Sequence, residues 1–188
     1  MTTRFALLLI TALAIPAVAL AQPGTEADTE SRLHFDLEVD PTAYVLAGYS
    51  VHAGIGYDRL RVDIGAFAMA LPELVHGSKD FDVSFNGFGV KLQYFPFAAQ
   101  EGFFFGVDSG VVRSLAERKG SSLAERDLQL NAGAHLGYRI ELSGGFYATP
   151  WIGVGYAFGA EDVRLEGAKL DAMRVTVFPA IHLGYRAL

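Results

Sequence analysis

The chain has 188 residues, no cysteine, and a formal charge of −6 from 21 acids against 15 bases. That balance argues against nucleic acid as a partner, and the missing thiols exclude a disulfide framework or a cysteine-linked lipid anchor. Hydrophobic residues make up 51%, with 21 glycines, 14 phenylalanines and 8 tyrosines, yet past the N-terminus no window approaches the roughly 18 apolar residues of a spanning helix.

Residues 1–21 read as a secretory signal peptide. Arg4 supplies a basic start, "FALLLITALAIPAVAL" an apolar run, and Ala19-Leu20-Ala21 a small-residue cleavage site. Residues 22–31, "QPGTEADTES", form a polar lead-in. From 32 to 188 the period is two, as in strands, and one domain is expected.

The clearest segment is 127–142. Leu128, Leu130, Ala132, Ala134, Leu136, Tyr138, Ile140 and Leu142 alternate there with Asp127, Gln129, Asn131, Gly133, His135, Gly137, Arg139 and Glu141. Such a strand spans roughly 50 Å, and a tilt near 40° leaves about 40 Å of height, enough to cross a bilayer core and project beyond it. The same reading places strands near 32–40, 50–58, 60–70, 80–95, 102–113, 126–142, 146–159 and 171–187. In the fourth, Phe81, Val83 and Phe85 give way to Phe88, Val90, Leu92 and Tyr94, which predicts a β-bulge at Asn86-Gly87.

Connections alternate between short (58–59, 96–101, 143–145) and long (41–49, 71–79, 114–125, 160–170). In a transmembrane barrel the short turns face the periplasm and the long loops face outside. A soluble lipocalin-type barrel would put its apolar face inside. Here the other face is rich in glycine and charge, which suits a narrow lumen better than a ligand pocket. On the apolar face, Tyr57, Tyr94, Phe103, Tyr138, Phe146 and Tyr185 all neighbour short turns or the C-terminus, as an aromatic belt at a membrane boundary would. Phe81, Tyr156 and Phe158 suggest a thinner belt at the other end. The fold class expected is therefore all-β, an eight-stranded antiparallel transmembrane up-and-down β-barrel over 32–188.

The string "HLGYR" occurs at 135–139 and again at 182–186, each time ending a strand with Leu and Tyr on the apolar face and His, Gly and Arg on the other. The last strand carries Val175, Val177, Pro179, Ile181, Leu183 and Tyr185 in alternation. This pattern resembles the small eight-stranded outer-membrane barrels of the OmpA, OmpX and OmpW type, which usually finish with a Tyr, one residue, then Phe or Trp. Here Ala187-Leu188 stands where that aromatic would be. The resemblance covers essentially the whole chain after the signal and implies an outer-membrane location, lipid and lipopolysaccharide around the wall, and insertion by the barrel-assembly machinery. It brings no catalytic residue and no cofactor.

Inward positions define the candidate site. His34, Asp36, Glu38 and Asp40 on the first strand face Arg174, His182 and Arg186 on the eighth, an acidic ladder against a basic one. Arg61, Asp63, Lys91, Asp108, His135, Arg139 and Glu141 extend a lumenal polar network. Charges in a narrow interior must pair, so a structural plug is the first reading. An ion or small-solute pore is the alternative, and a lipid-A-modifying enzyme the third. The enzyme would need a Ser-His pair on the lipid-facing wall, whereas the histidines point inward. His34, His52, His135 and His182 show no compact metal-ligand spacing. Loops 71–79 and 114–125 are the expected contact surface for any external partner, the second being a hairpin because "SLAER" recurs at 114–118 and 122–126.

Overall fold

The computed structural model describes residues 33–187. The expected signal peptide, the lead-in, and the end residues Arg32 and Leu188 lie outside the described residues. Strands β1 (Leu33–Val39), β2 (Tyr49–Tyr57), β3 (Leu60–Leu71), β4 (Phe81–Tyr94), β5 (Gly102–Arg118), β6 (Ala124–Glu141), β7 (Phe146–Phe158) and β10 (Val175–Ala187) close in chain order into an antiparallel barrel. The long connections carry helices α1 (Pro41–Val45) and α2 (Glu73–His76) and a small hairpin, β8 (Val163–Leu165) with β9 (Ala168–Leu170). Each element follows from local chemistry. Asp40 caps α1 through Thr42 N–H at 2.9 Å with Pro41 at its first turn. The β2–β3 turn is two residues long, and Asp58 takes the left-handed φ of 51° that such turns require.

Paired residues traced from Tyr185 through Leu37, Ala53, Ile64, Val90, Ser109, Ala132 and Tyr156 return to β10 at Val175, a stagger of ten residues (185 − 175). For eight strands this stagger sets a tilt of about 40° and a backbone radius of about 8 Å, room for side chains and little else.

Alternation holds on every strand. Along the lower and middle wall the outward positions are mostly Leu, Ile, Val, Phe and Tyr, exposed to roughly half of their surface, as with Phe35 at 52%, Ile55 at 52% and Ile181 at 53%. Tyr57, Tyr94, Phe103, Tyr138, Phe146 and Tyr185 all face outward, and allowing for the stagger they stand at one level, near the short turns. Neighbouring rings touch: Tyr94 and Phe105 are 5.6 Å apart, Phe146 and Tyr185 5.0 Å.

β4 corrects the sequence reading. Its pairing with β3 and β5 runs unbroken past Asn86-Gly87, with no bulge. Phe81 and Val83 are buried inward, with Phe85 on the same face, while Asp82, Ser84 and Asn86 face out. What changes at Asn86 is the surroundings of the wall, apolar outward below it and polar outward above it. Phe81 therefore belongs to no outer belt. Tyr156 and Phe158 do face outward, ring on ring at 4.8 Å. Above Asn86, β3 stays paired only as far as Leu71 opposite Val83, and β4, β5 and β6 continue as a projection that carries the first "SLAER" segment and the end of the second. Its inner face (Phe81, Val83, Ala116) packs against Val163 and Leu170 of the β8–β9 hairpin, a small apolar core over the outer mouth.

Candidate functional site

Inward side chains pack the lower part of the barrel closely, while higher up the inward Gly89, Gly110, Gly133 and Gly155 and the Asp108 side chain keep partial exposure. Glu38 sits at the centre, within 3.3 Å of Arg61 Nη2, 3.1 Å of Arg139 Nη2 and 2.8 Å of His182 Nδ1. Arg61 also grips Asp36 through Nε (3.0 Å) and Nη2, and reaches Asp63 Oδ2 at 3.1 Å and Gln93 Oε1 at 2.8 Å. Lys91 Nζ stands 3.7 Å from Asp63 and 5.0 Å above the ring of Trp151. Glu38, Arg61, Asp63 and Arg139 are all buried. Ionised groups taken out of water need this density of partners, since each isolated charge would cost several kcal/mol.

Backbone spacing makes the cluster. Gly54, Gly65 and Gly184 lie beside Arg61, His52 and Tyr147, and a Cβ at any of them would run into those side chains. Glycine on one strand thus makes room for a large polar group from the next.

The lower end is closed by aromatic rings and Arg139. Phe95 and Phe104 are fully buried with centroids 5.2 Å apart. The Arg139 guanidinium lies 4.2 Å from the Tyr147 ring and 5.3 Å from Phe95. Among the described residues its Nε and Nη1 have no hydrogen-bond acceptor, and the ring faces offset part of their desolvation. Arg186 bonds Glu141 at 2.9 Å and the carbonyl of Gln100 at 3.1 Å.

Not every expected member joins. Asp40 is buried, but its carboxylate caps α1 instead of meeting a base on β10. Arg174 precedes β10 and is exposed, outside the lumen, because inward geometry ends where the strand does. His34 points inward, half-buried at the lower end of β1. Between β1 and β10 the acid-to-base contact is that of Glu38 with His182, at 2.8 Å. The other partners of the β1 acids come from β3 and β6. His135 pairs with Asp108 at 2.9 Å and stands apart from the Glu38 group, beside Gln93 at 3.4 Å.

Three components escaped the charge-based reading. Gln93 and Trp151 carry no charge, although alternation alone puts both inward. The third is a relay: Ser50 Oγ lies 3.0 Å from His52 Nε2, and His52 Nδ1 2.9 Å from Asp63 Oδ1. Those are the distances of a nucleophile, base and orienter. Ser50 is only 3% exposed and faces the lumen, so the relay opens neither to solvent nor to the outer wall, and Asp63 is shared with Arg61 and Lys91. Among the described residues no group of three or more His, Asp or Glu is placed to hold a metal ion.

No protein-family model and no curated protein matches the chain. Among solved structures it is similar to Neisserial surface protein A, at 13% identity and TM-score 0.47, covering 82% of this chain and 94% of that one. It is also similar to the N-terminal β-barrel domain of Pseudomonas aeruginosa OprF, at 13% identity and TM-score 0.44, covering 84% of this chain and all of that one (100%). A third is a major outer membrane protein from Thermus thermophilus, at 14% identity and TM-score 0.48, covering 83% of this chain and 100% of that one.

Proposed function

We propose that the chain is an integral outer-membrane β-barrel whose lumen is a side-chain plug, with a structural role or an interaction role carried by the β4–β6 projection and the outer loops. One observation carries this reading: the barrel is inside out. Its exterior is a continuous band of exposed Leu, Ile, Val, Phe and Tyr, while Glu38, Arg61, Asp63 and Arg139 are buried within. A contiguous apolar surface of this extent is unstable in water and matched to lipid. The fully buried Phe95 and Phe104 lie at the lower end of the charge cluster, which favours a plug over a pathway. The buried Ser50 hydroxyl gives an acyl ester in the surrounding lipid nothing to meet, which favours a non-enzymatic role.

Single cysteines test the lipid-facing wall cleanly, because the chain has none of its own. A fluorophore placed at Leu183, Ile181 and Val177 should be quenched by bromine-labelled lipid chains, whereas one at Ala180 should not. Equal quenching at both sets, or none at either, would remove the membrane reading.

A further inference from the structure

We propose that Arg113 and Arg126 form a seat for the anionic headgroup of a phosphorylated outer-leaflet lipid, an inference that rests on the membrane reading above. Register places the two side chains. Arg113 of β5 lies between Asn86 of β4 and Leu128 of β6. The next row outward is Ser84, Leu115 and Arg126. The arginines are therefore diagonal neighbours on one face, roughly 7–8 Å apart at the backbone. Both are exposed and both face away from the lumen. Neither guanidinium has an ion pair or hydrogen-bond partner among the described residues. Every charged group of the Glu38 cluster, by contrast, has at least one.

Height decides what they meet. Arg113 stands ten residues along β5 from Phe103 of the lower belt (113 − 103), a rise of about 25 Å at a tilt near 40°, the height of an outer-membrane barrel's apolar band. Arg113 is thus at the band's upper edge and Arg126 one row beyond it. Directly below lie Val111 and Leu130, with Tyr156 and Phe158 beside them on β7. Below Leu130 the wall dips at Ser109, Ala132 and Ala134, all exposed. Two free cations above, a polar Asn86 beside Arg113, and a shallow stretch of small side chains bordered by Val111, Leu130, Tyr156 and Phe158 beneath are complementary to phosphate joined to an acyl chain. The acids on this face, Asp82 and Glu117, stand one row beyond Arg126; Asp82 is engaged by Lys119 at 3.3 Å, and Glu117, opposite Ala124, is a diagonal neighbour of Arg126 on its outer side, away from Arg113. Both arginines sit on paired strands, so the seat is rigid before any lipid arrives.

The test is native mass spectrometry of the refolded protein in neutral detergent. It is titrated in parallel with phosphorylated lipid A, with the same lipid A dephosphorylated, and with inorganic phosphate. The wild type should retain phosphorylated lipid A preferentially. Loss of that preference should be about 5-fold in Arg113→Gln or Arg126→Gln and about 25-fold in the double variant. Arg164→Gln, on the outer hairpin, should leave it unchanged. Equal retention of both lipids by the wild type, or an unchanged preference in the double variant, would overturn the proposal. Retention of inorganic phosphate with the same arginine dependence would replace the lipid by a free anion and overturn it too. A heat-dependent gel shift after insertion into phosphatidylcholine vesicles separates the two levels of failure. A wild type that does not insert removes the membrane reading along with the seat. One that inserts but shows no lipid preference removes the seat alone.

Discussion

Glu38→Gln is the sharpest perturbation of the lumen. The substitution keeps the shape of the side chain and removes one negative charge from between Arg61 (3.3 Å), Arg139 (3.1 Å) and His182 (2.8 Å). At an effective dielectric near 20, each arginine at these distances attracts the carboxylate by about 5 kcal/mol before desolvation is counted. Burial of the three groups offsets most of that, and removing one partner from a buried ionic cluster typically leaves a net loss of about 3–5 kcal/mol. Arg61 keeps Asp36 and Asp63, so the stranded charge is mainly that of Arg139, which has no other carboxylate within ion-pair distance among the described residues. The assay follows directly from the fold. Trp151, the single tryptophan of the chain, lies edge-on to His182 at 5.5 Å, so its emission during guanidinium unfolding in lipid vesicles reports on this cluster. Glu38→Gln should lose about 3–5 kcal/mol and Arg139→Met a comparable amount. The double variant should lose clearly less than their sum, because the second change removes the cation that the first one strands. Losses of under about 0.5 kcal/mol in Glu38→Gln, or strict additivity in the double variant, would refute the view that this cluster holds the barrel together.

Other consequences are equally direct. Gly137→Ala should cost about 1–3 kcal/mol by overpacking, since its new Cβ would lie 2.6 Å from Phe104 and 2.7 Å from Trp151; equilibrium unfolding followed through Trp151 checks it. Phe81→Ala should cost about 3–5 kcal/mol if Phe81 belongs to the outer core, and almost nothing if it were a lipid-facing belt residue; the same unfolding assay decides. At the outer loops, Lys119 bonds Glu73 and stands 3.3 Å from Asp82, and the Glu73 hydrogen bond holds that carboxyl below its usual range. A depressed carboxyl stabilises above its unfolded value and loses that contribution as pH falls through the folded value. Protease nicking in the 71–80 loop should therefore increase only below about pH 4.5, the ordinary glutamate value, and Glu73→Gln should show that susceptibility already at about pH 7.

Much of the architecture is written in the alternation of residues. The eight barrel strands, the inward or outward sense of nearly every side chain, and the alternation of short and long connections all follow from a period of two; the β8–β9 hairpin within the 160–170 connection does not. The misreading of β4 has a simple origin. Alternation reveals which residues share a face, while hydrophobicity says which face it is; where the strand leaves the apolar band, the hydrophobic side switches at Asn86 and imitates a bulge. The "HLGYR" repeats mark the lower halves of two downward strands, and in both copies His, Gly and Arg face the lumen as alternation requires. The partners of those residues were not legible. Arg139 meets Glu38 across the barrel because a ten-residue stagger brings their heights together, and a stagger is a property of closure that no single strand contains. Asp40 is the opposite case. Its place before Pro41 was a local helix-start signal, and it outranked the long-range pairing assigned to it.

The conductance of the refolded protein in a planar bilayer, measured once a heat-dependent gel shift shows that it is folded, distinguishes a plugged lumen from a pathway most directly. Rings at the lower end and the ionic cluster packed beside them predict a folded barrel that stays silent. Reproducible open steps whose size changes in Glu38→Gln or Arg139→Met would contradict it and make the polar lumen a pathway.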